Sequence, residues 1–214
     1  MAKQVAVKAT PVVAESSDDV SFGAVIKTAQ LKKVVFSGAV SKLLPSLYDL
    51  SHSWYLALVK FITGYIEFLA GKGYNLFSTA LNLGSEMVFA EAVLALKTKN
   101  PEVVLSIVLP FKGYDSRWME NNKTRFARIC AEADVVCYAD QAFKLPVTIN
   151  PNNQLRVAEY YLIQRTELET RGADLIITLG TGANVDGVAK AATAKSLRQA
   201  EISWSGEKFV SLQI

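Results

Sequence analysis

Short apolar runs alternate along the chain with longer segments whose apolar positions recur at helical spacing. Nearly continuous apolar runs are typical of strands buried on both faces of a parallel sheet. The alternation predicts an α/β fold of three layers, with helices on both faces of a mainly parallel sheet of five to six strands. The predicted strands are residues 31–36, 74–79, 103–109, 135–138, 174–179 and 201–204. The predicted helices are residues 51–70, 85–97, 116–133, 152–171 and 188–197.

The two ends of the chain differ in pattern from its middle. Residues 1–24 are rich in Ala, Val, Ser and Lys without sustained periodicity, which predicts a flexible N-terminal tail. Residues 25–205 contain the predicted helices and strands and are expected to form a single domain. Residues 206–214 alternate apolar and polar positions, and we expect either an edge strand or a C-terminal tail that contacts another copy of the chain.

A glycine-rich stretch follows one of the predicted strands. The segment ADLIITLGTGANVDG predicts a buried strand, a loop and a helix start in that order. Ligands of parallel sheets bind at the carboxyl ends of the strands, where glycines let the backbone approach a phosphate or ribose. Gly180, Thr181 and Gly182 are therefore the strongest ligand-binding candidates. The spacing matches neither GxGxxG nor GxxxxGK[ST], so a plain strand-to-helix turn is the alternative.

Composition and charge restrict the function further. The net charge is +3 and the basic residues are dispersed, which argues against a nucleic-acid partner. A single histidine, His52, argues against a histidine-based metal site, and neither a metal nor another cofactor is predicted. Cys130 and Cys137 lack CxxC spacing and are expected to be reduced thiols in the core. With no apolar run of membrane-spanning length and no signal-peptide core, the sequence predicts a cytoplasmic protein without a membrane partner.

An ordered set of motifs resembles a known family. The motifs are Gly84-Ser85-Glu86 at a helix start, Pro110-Phe111 at a strand end, Trp118-Met119-Glu120-Asn121-Asn122, Ala133-Asp134 and Arg165-Thr166. Their succession resembles the YpsA-like branch of the SLOG superfamily, the Rossmann-like group named after the Smf/DprA and LOG proteins. The resemblance covers roughly residues 32–194 and implies a Rossmann-like SLOG domain. It also implies binding of a nucleotide or nucleotide-derived signal, such as an ADP-ribose-like molecule, by a homo-oligomer that acts as a sensor, carrier or sequestering protein.

Residues at the predicted strand ends complete the candidate ligand site. Ser37 and Gly38 end the first predicted strand, and Gly84 and Glu86 begin the helix after the second, so we expect all four to line the site. Glu86 can accept hydrogen bonds from ribose hydroxyls, or it can simply favour the positive end of its helix.

Two further candidates, Arg165 and Trp118, lie in predicted helices. Arg165, among apolar residues, can reach a ligand phosphate or can pair with Glu169 one turn further on. Trp118 can stack on a base, although packing of the loop against the sheet explains a tryptophan there equally well.

Two alternative functions remain open from the sequence. Hydrolysis of a nucleotide N-glycosidic bond, as in LOG enzymes, needs a carboxylate beside the ribose, and Glu86 or Asp186 can supply it. Glu120 is a third acidic candidate, although an acid in a first helical turn often serves only the helix dipole. The loop 179–186 lacks the glutamate of the LOG signature PGGxGTxxE, so we expect binding, with Asp186 as a ligand contact, rather than cleavage. The other alternative is single-stranded DNA binding of the DprA type.

Overall fold

The protein is represented by a computed structural model. It describes the backbone of residues 12–13 and the structure of residues 31–39, 51–205 and 208–213. Eight strands form one sheet in the order β1-β5-β4-β3-β2-β6-β7-β8. The strands are β1 (Val12–Val13), β2 (Lys32–Gly38), β3 (Tyr74–Thr79), β4 (Val104–Leu109), β5 (Val135–Tyr138), β6 (Leu175–Leu179), β7 (Arg198–Trp204) and β8 (Phe209–Gln213). All neighbouring strands are parallel except β7 and β8.

Helices cover both faces of this sheet. They are α1 (Ser53–Gly71), α2 (Ser85–Lys97), α3 (Glu120–Glu132), the single turn α4 (Ala139–Ala142), α5 (Gln154–Thr170) and α6 (Ala183–Ala194). The larger core lies between the sheet and α1, α2 and α3, where Phe36 of β2 stacks on Phe89 of α2 with ring centroids 4.6 Å apart. On the other face, Val35 packs near Val188 of α6, and Val108 packs near Leu168 of α5. Burial on both faces explains why the central strands are nearly all apolar in sequence.

The predicted fold class is confirmed. The six predicted strands are β2 to β7, which are parallel to one another, and the predicted three-layer arrangement is present. The short strand β1, which pairs with β5, was not predicted, whereas the antiparallel edge strand β8 beside β7 is one of the two alternatives expected for residues 206–214. The predicted flexible tail, residues 1–24, lies outside the described residues apart from Val12 and Val13.

Several predicted element boundaries were wrong. The helix after the glycine loop begins at Ala183 instead of residue 188, because Gly187 lies within α6. A glycine inside a helix lowers the stability of the helix by only about 1 kcal/mol relative to alanine. The neighbouring Val and Ala residues of α6 can offset this loss. α3 begins at Glu120 instead of residue 116, and the predicted loop 139–151 contains α4. Within the described part of the chain, no helix is both long and apolar enough to cross a membrane.

Candidate ligand-binding site at the carboxyl edge of the sheet

Glu86 lies in the first turn of α2 and is 1% exposed. Its Oε1 accepts a hydrogen bond from the backbone N–H of Gly38 at 3.1 Å, and its Oε2 accepts one from the backbone N–H of Asn82 at 2.8 Å. The side-chain amide of Asn82 lies 3.0 Å from both oxygens. Longer contacts come from the hydroxyls of Ser37, at 3.4 Å, and Thr79, at 3.3 Å. The buried carboxylate therefore joins the ends of β2 and β3 to the start of α2.

Asn184, in the first turn of α6, extends these contacts to the glycine loop. Its side-chain amide donates to the backbone carbonyl of Gly38 at 3.0 Å and to Glu86 Oε1 at 3.3 Å. We call Glu86 together with Ser37, Gly38, Thr79, Asn82 and Asn184 the Glu86 cluster. It fixes three of the loops at the carboxyl edge relative to one another.

Close packing at the end of β2 explains why Gly38 is a glycine. A Cβ on Gly38 would lie 1.8 Å from Ser85 Oγ and 3.0 Å from Ser85 Cβ. Such an approach is incompatible with any larger residue, so the end of β2 can contact the start of α2 only with glycine at this position. Gly84, directly before α2, has φ of 111° and ψ of −123°, which also favours glycine.

The glycine loop leads directly into the first turn of α6. Gly180 and Gly182 have φ values of 71° and 142°, which are readily adopted only by glycine. Gly182 is the N-cap residue of α6, and none of the side chains that the structure describes caps this helix start. Gly180, Thr181 and Asp186 are exposed. The backbone N–H groups at a helix start without a side-chain cap can donate to an anion.

Arg165, by contrast, is almost completely buried. It lies in α5 with 2% exposure, and its Nε and Nη1 atoms have no hydrogen-bond partner among the described residues. Glu169, one turn further along α5, is fully buried, and both of its carboxylate oxygens are also without a partner there. The ion pair between Arg165 and Glu169 that the sequence suggested as an alternative is therefore not formed as a hydrogen-bonded pair.

Lys33 of β2 approaches α5 from the sheet. Its Nζ donates to the backbone carbonyls of Glu169, at 2.6 Å, and Arg171, at 3.0 Å. Burial lowers the pKa of Lys33 to about 8, although the negative charge of Glu169 opposes this shift. Burial raises the pKa of Glu169 to about 8, in the same direction as the charge of Glu86, while the charges of Arg165 and Lys33 oppose it.

The middle of the sheet adds two hydroxyl groups to this region. Ser78 of β3 is paired in register with Val35 and Ser106, so both serines face the side of the sheet that α5 and α6 cover. Both hydroxyls are buried without a partner among the described residues. We call Lys33, Ser78, Ser106, Arg165 and Glu169 the buried polar layer.

Tyr114 connects the Glu86 cluster to the buried polar layer. Its hydroxyl donates to Asn82 Oδ1 at 2.6 Å. Burial raises the pKa of Tyr114, the charge of Arg165 lowers it, and the charge of Glu86 raises it. The charge of Arg165 therefore acts on Tyr114, which contacts the Glu86 cluster at the carboxyl edge of the sheet.

Trp118 and Glu120 lie further from these contacts. The Trp118 ring makes edge-to-face contacts with Tyr114, at 5.7 Å between centroids, and with Phe126 of α3, at 5.2 Å. This geometry supports the packing alternative for Trp118. Glu120 is 86% exposed and lies 3.6 Å from Lys123 in the first turn of α3, as expected for an acid that serves the helix dipole.

The structure brings together most of the predicted site residues but not all of them. Ser37, Gly38 and Glu86 contact one another, and Gly84 directly precedes α2. A Cβ on Gly180 would lie 3.0 Å from the Ala39 side chain, so the glycine loop borders the end of β2. Asp186 is exposed, and within the described residues it makes no hydrogen bond to the Glu86 cluster.

Sequence reasoning did not identify Asn82, Asn184, Tyr114, Lys33 or Ser78 as site residues. Asn82 follows the end of a strand, and Asn184 follows the glycine loop. An asparagine at such a position indicates a side chain whose hydrogen bonds can fix a loop. Lys33 and Ser78 are polar residues inside runs that otherwise predict buried strands, and buried polar residues require partners. The sequence does not show that Lys33 and Ser78 lie on the same face of the sheet. This follows only from the pairing of strands that are far apart in the sequence.

A separate cleft of about 550 Å³ lies beside the first half of α5. Its lining includes Asn153, Arg156 and Tyr160, and it contains none of the predicted site residues.

Comparison with known proteins identifies relatives of this chain. The family model YpsA, described as "YspA SLOG family", matches residues 46–171, which is more than half of the 214 residues. The match ends before β6, so the glycine loop lies outside it.

Curated relatives are UPF0398 proteins of bacteria. The protein of Lactiplantibacillus plantarum is 29% identical over 119 residues, which are 54% of this chain and 59% of that protein. The protein of Halalkalibacterium halodurans is 31% identical over 99 residues, which are 46% of this chain and 50% of that protein. The protein of Staphylococcus saprophyticus is 37% identical over 79 residues, which are 37% of this chain and 42% of that protein. The matched segments thus span about half the length of these relatives.

A solved structure shows a weaker similarity. The X-ray structure of TM1055, a structural genomics target, has 14% sequence identity and a TM-score of 0.46, and the alignment covers 79% of this chain and 72% of that one. At this TM-score and identity the likeness supports no statement about function.

Proposed function

Because the chain belongs to the YpsA family of SLOG proteins, we propose that it binds a nucleotide or nucleotide-derived signalling molecule at the carboxyl edge of its sheet. An ADP-ribose-like molecule fits this proposal. The protein acts as a sensor, carrier or sequestering protein in the cytoplasm. Its main role is to bind this molecule rather than to cleave it.

One observation supports this proposal above the others. Asn184 links the glycine loop to both Gly38 and Glu86, so three loops at the carboxyl edge are fixed around one carboxylate. The neighbouring start of α6 has no side-chain cap from the described part of the chain, and Thr181 and Ala183 there are exposed. A rigid edge beside free helical N–H groups suits a ligand that combines a phosphate with a ribose.

The contacts of Glu86 favour binding over hydrolysis. Both of its oxygens accept hydrogen bonds from the chain itself, including two backbone N–H groups. A carboxylate that activates water or stabilises an oxocarbenium ion needs a free oxygen beside the sugar. We therefore assign Glu86 a positioning role, and no observation favours Asp186 as a catalytic group.

A pair of substitutions at Thr181 tests the binding proposal. Thr181 is exposed at the start of α6, so Thr181→Glu places a negative charge where the ligand phosphate is expected, with little effect on folding. Thr181→Gln is the uncharged control. We expect isothermal titration with a panel of nucleotides and ADP-ribose to detect a ligand that binds wild type and T181Q, with at least about tenfold weaker binding to T181E.

Two results would count against this proposal. If no nucleotide or ADP-ribose binds, and native mass spectrometry finds no co-purifying small molecule, the protein does not have this function. If a ligand binds T181E as well as T181Q, the site is not at the start of α6.

We further propose that the protein works as a homo-oligomer. Helix α5 exposes Leu155 and Ile163 at 70% and 67%, and Leu212 of the edge strand β8 is 58% exposed. Large apolar side chains that are contiguous on a surface mark protein interfaces, and we propose that those of α5 contact another copy of the chain. Light scattering after size exclusion should give a mass above that of one chain, and a mass of 23.4 kDa would contradict the proposal.

A further inference from the structure

The buried polar layer contains charges and hydroxyls that the described chain does not satisfy. Arg165 Nε and Nη1, both oxygens of Glu169, and the hydroxyls of Ser78 and Ser106 all lack partners there. A buried polar group without a hydrogen bond destabilises the folded state, and a buried charged group does so more strongly. Four such residues on facing elements indicate that another molecule completes the hydrogen bonds.

The charged groups around Glu169 come from every element packed against it. Arg165 lies on its own helix, Lys33 on β2 and Glu86 on α2. Lys195, after α6, donates to Thr170 Oγ1 at 3.0 Å and pairs with Glu167 at 2.9 Å. Lys33 is already bonded to two carbonyls at the end of α5. The backbone N–H of Ala80 lowers the pKa of Glu169 but lies outside hydrogen-bond geometry.

Within the described residues, Arg165 makes no ion pair with a carboxylate through its Nε or Nη1. The pKa of Glu169 is about 8, so this side chain is mainly a neutral carboxylic acid below that pH. Arginine cannot lose its proton in a protein. Since Tyr114 and Ala80 belong to the loop after β4 and the end of β3, Arg165 and Glu169 lie directly beneath the carboxyl edge.

We propose that Arg165 and Glu169 form a second anion subsite, in which a phosphate other than the one at the start of α6 accepts hydrogen bonds from Arg165 Nε and Nη1 and in which ionised Glu169 competes with that phosphate for the guanidinium. This inference rests on the proposed function and adds a second anionic group of the ligand and the residue that regulates its binding. Neutral Glu169 leaves Arg165 available, whereas ionised Glu169 neutralises Arg165 and repels the phosphate. Planar guanidinium N–H groups match phosphate oxygens in geometry and charge.

Inorganic sulfate is the first probe, because its charge does not change between about pH 6 and about pH 9.5, whereas that of phosphate does. Binding is followed by isothermal titration and by the NMR signal of the Arg165 Nε–H group, which is identified by its loss in Arg165→Gln. Wild type is compared with R165Q and Glu169→Gln. Arg156→Gln and Glu159→Gln are the controls, since they make the same changes at exposed positions of α5.

We expect sulfate to shift the Arg165 signal and to bind wild type at least about tenfold more tightly at pH 6 than at pH 9.5. E169Q should bind equally at both pH values, R165Q should lose binding, and R156Q and E159Q should match wild type. Lys33 also loses its charge above pH 8, so a loss of binding that persists in E169Q would assign the pH effect to Lys33 and overturn the role of Glu169.

Two other results would overturn the subsite itself. If sulfate leaves the Arg165 signal unchanged at pH 6 in both wild type and E169Q, ordered water alone completes the layer. If R165Q binds sulfate as wild type does, the anion binds elsewhere. Titration with ADP and AMP separates this proposal from the proposed function, because ADP carries a second phosphate. Equal affinities for ADP and AMP contradict only the subsite, whereas the absence of binding by the whole nucleotide panel contradicts the proposed function.

Discussion

The Glu86 cluster and the buried polar layer both place carboxylates in the interior, yet their surroundings differ. Glu86 is surrounded by donors from β2, β3 and α6, two of them backbone N–H groups. Glu169 has no hydrogen-bond partner within the described residues, and its pKa is raised to about 8. A fully bonded carboxylate stabilises the loops around it, whereas an unbonded one lowers stability and is available for another molecule.

Glu86→Gln should have the largest effect of the substitutions that separate the two regions. Each oxygen of Glu86 accepts one backbone N–H, so the amide NH₂ of glutamine faces a donor in either orientation. We expect a loss of roughly 2–4 kcal/mol in the free energy of unfolding. Urea unfolding measures it, with the exposed Glu102→Gln as the control. An effect below that of E102Q would mean that the Glu86 cluster does not stabilise the fold.

Glu169→Gln should change the pH dependence of stability. Between about pH 4.5 and about pH 8 the folded state keeps the Glu169 proton that the unfolded state releases, so wild-type stability should fall as pH rises through this range. E169Q should lack this decrease and be more stable than wild type above pH 8, with equal stability near pH 4.5. Urea unfolding across this range tests the prediction, and parallel pH profiles of the two proteins would contradict it.

Thr79→Val removes one donor from the Glu86 cluster without changing the size of the side chain. The Thr79 hydroxyl lies 3.3 Å from Glu86 Oε2 and accepts from the backbone N–H of Leu81 at 3.4 Å. Because both contacts are long, we expect a loss of only about 1 kcal/mol. Thermal unfolding, with Thr98→Val on the exposed end of α2 as the control, should resolve it.

Ser78→Ala, at the neighbouring position, should have the smallest effect and the opposite sign. Its hydroxyl belongs to the buried polar layer and has no partner among the described residues. Removing it should leave stability unchanged or raise it by up to about 1 kcal/mol. A clear loss of stability in S78A would show that the hydroxyl binds an ordered water whose removal costs energy.

Much of the fold was predictable from the sequence because the strands of the sheet are buried on both faces. Continuous apolar runs mark β2 to β6, and helical spacing marks α1, α2 and α5. The motif succession from Gly84 to Asp134 also indicated the YpsA family correctly. The sequence did not predict the first turn of α6, because Gly187 was interpreted as part of the loop, whereas it lies within the helix.

The candidate site was only partly predictable. Gly38, Glu86 and Gly180 were predicted as site residues from their positions after strands, but the sequence does not show that Asn184 contacts residues 146 and 98 positions away. The sequence likewise could not distinguish an ion pair between Arg165 and Glu169 from two unpaired buried groups, because spacing along a helix sets which residues are near but not how the side chains orient.

The sequence by itself determined the α/β class, the order of the strands along the chain and the family, because burial and periodicity are local properties of the chain. Only the tertiary structure decided which polar residues share an environment. Lys33, Ser78 and Glu169 come together because parallel pairing places β2 beside β3 and α5 covers that face. Their hydrogen bonds and charges depend on those long-range contacts, and the contrast between Glu86 and Glu169 arises from them.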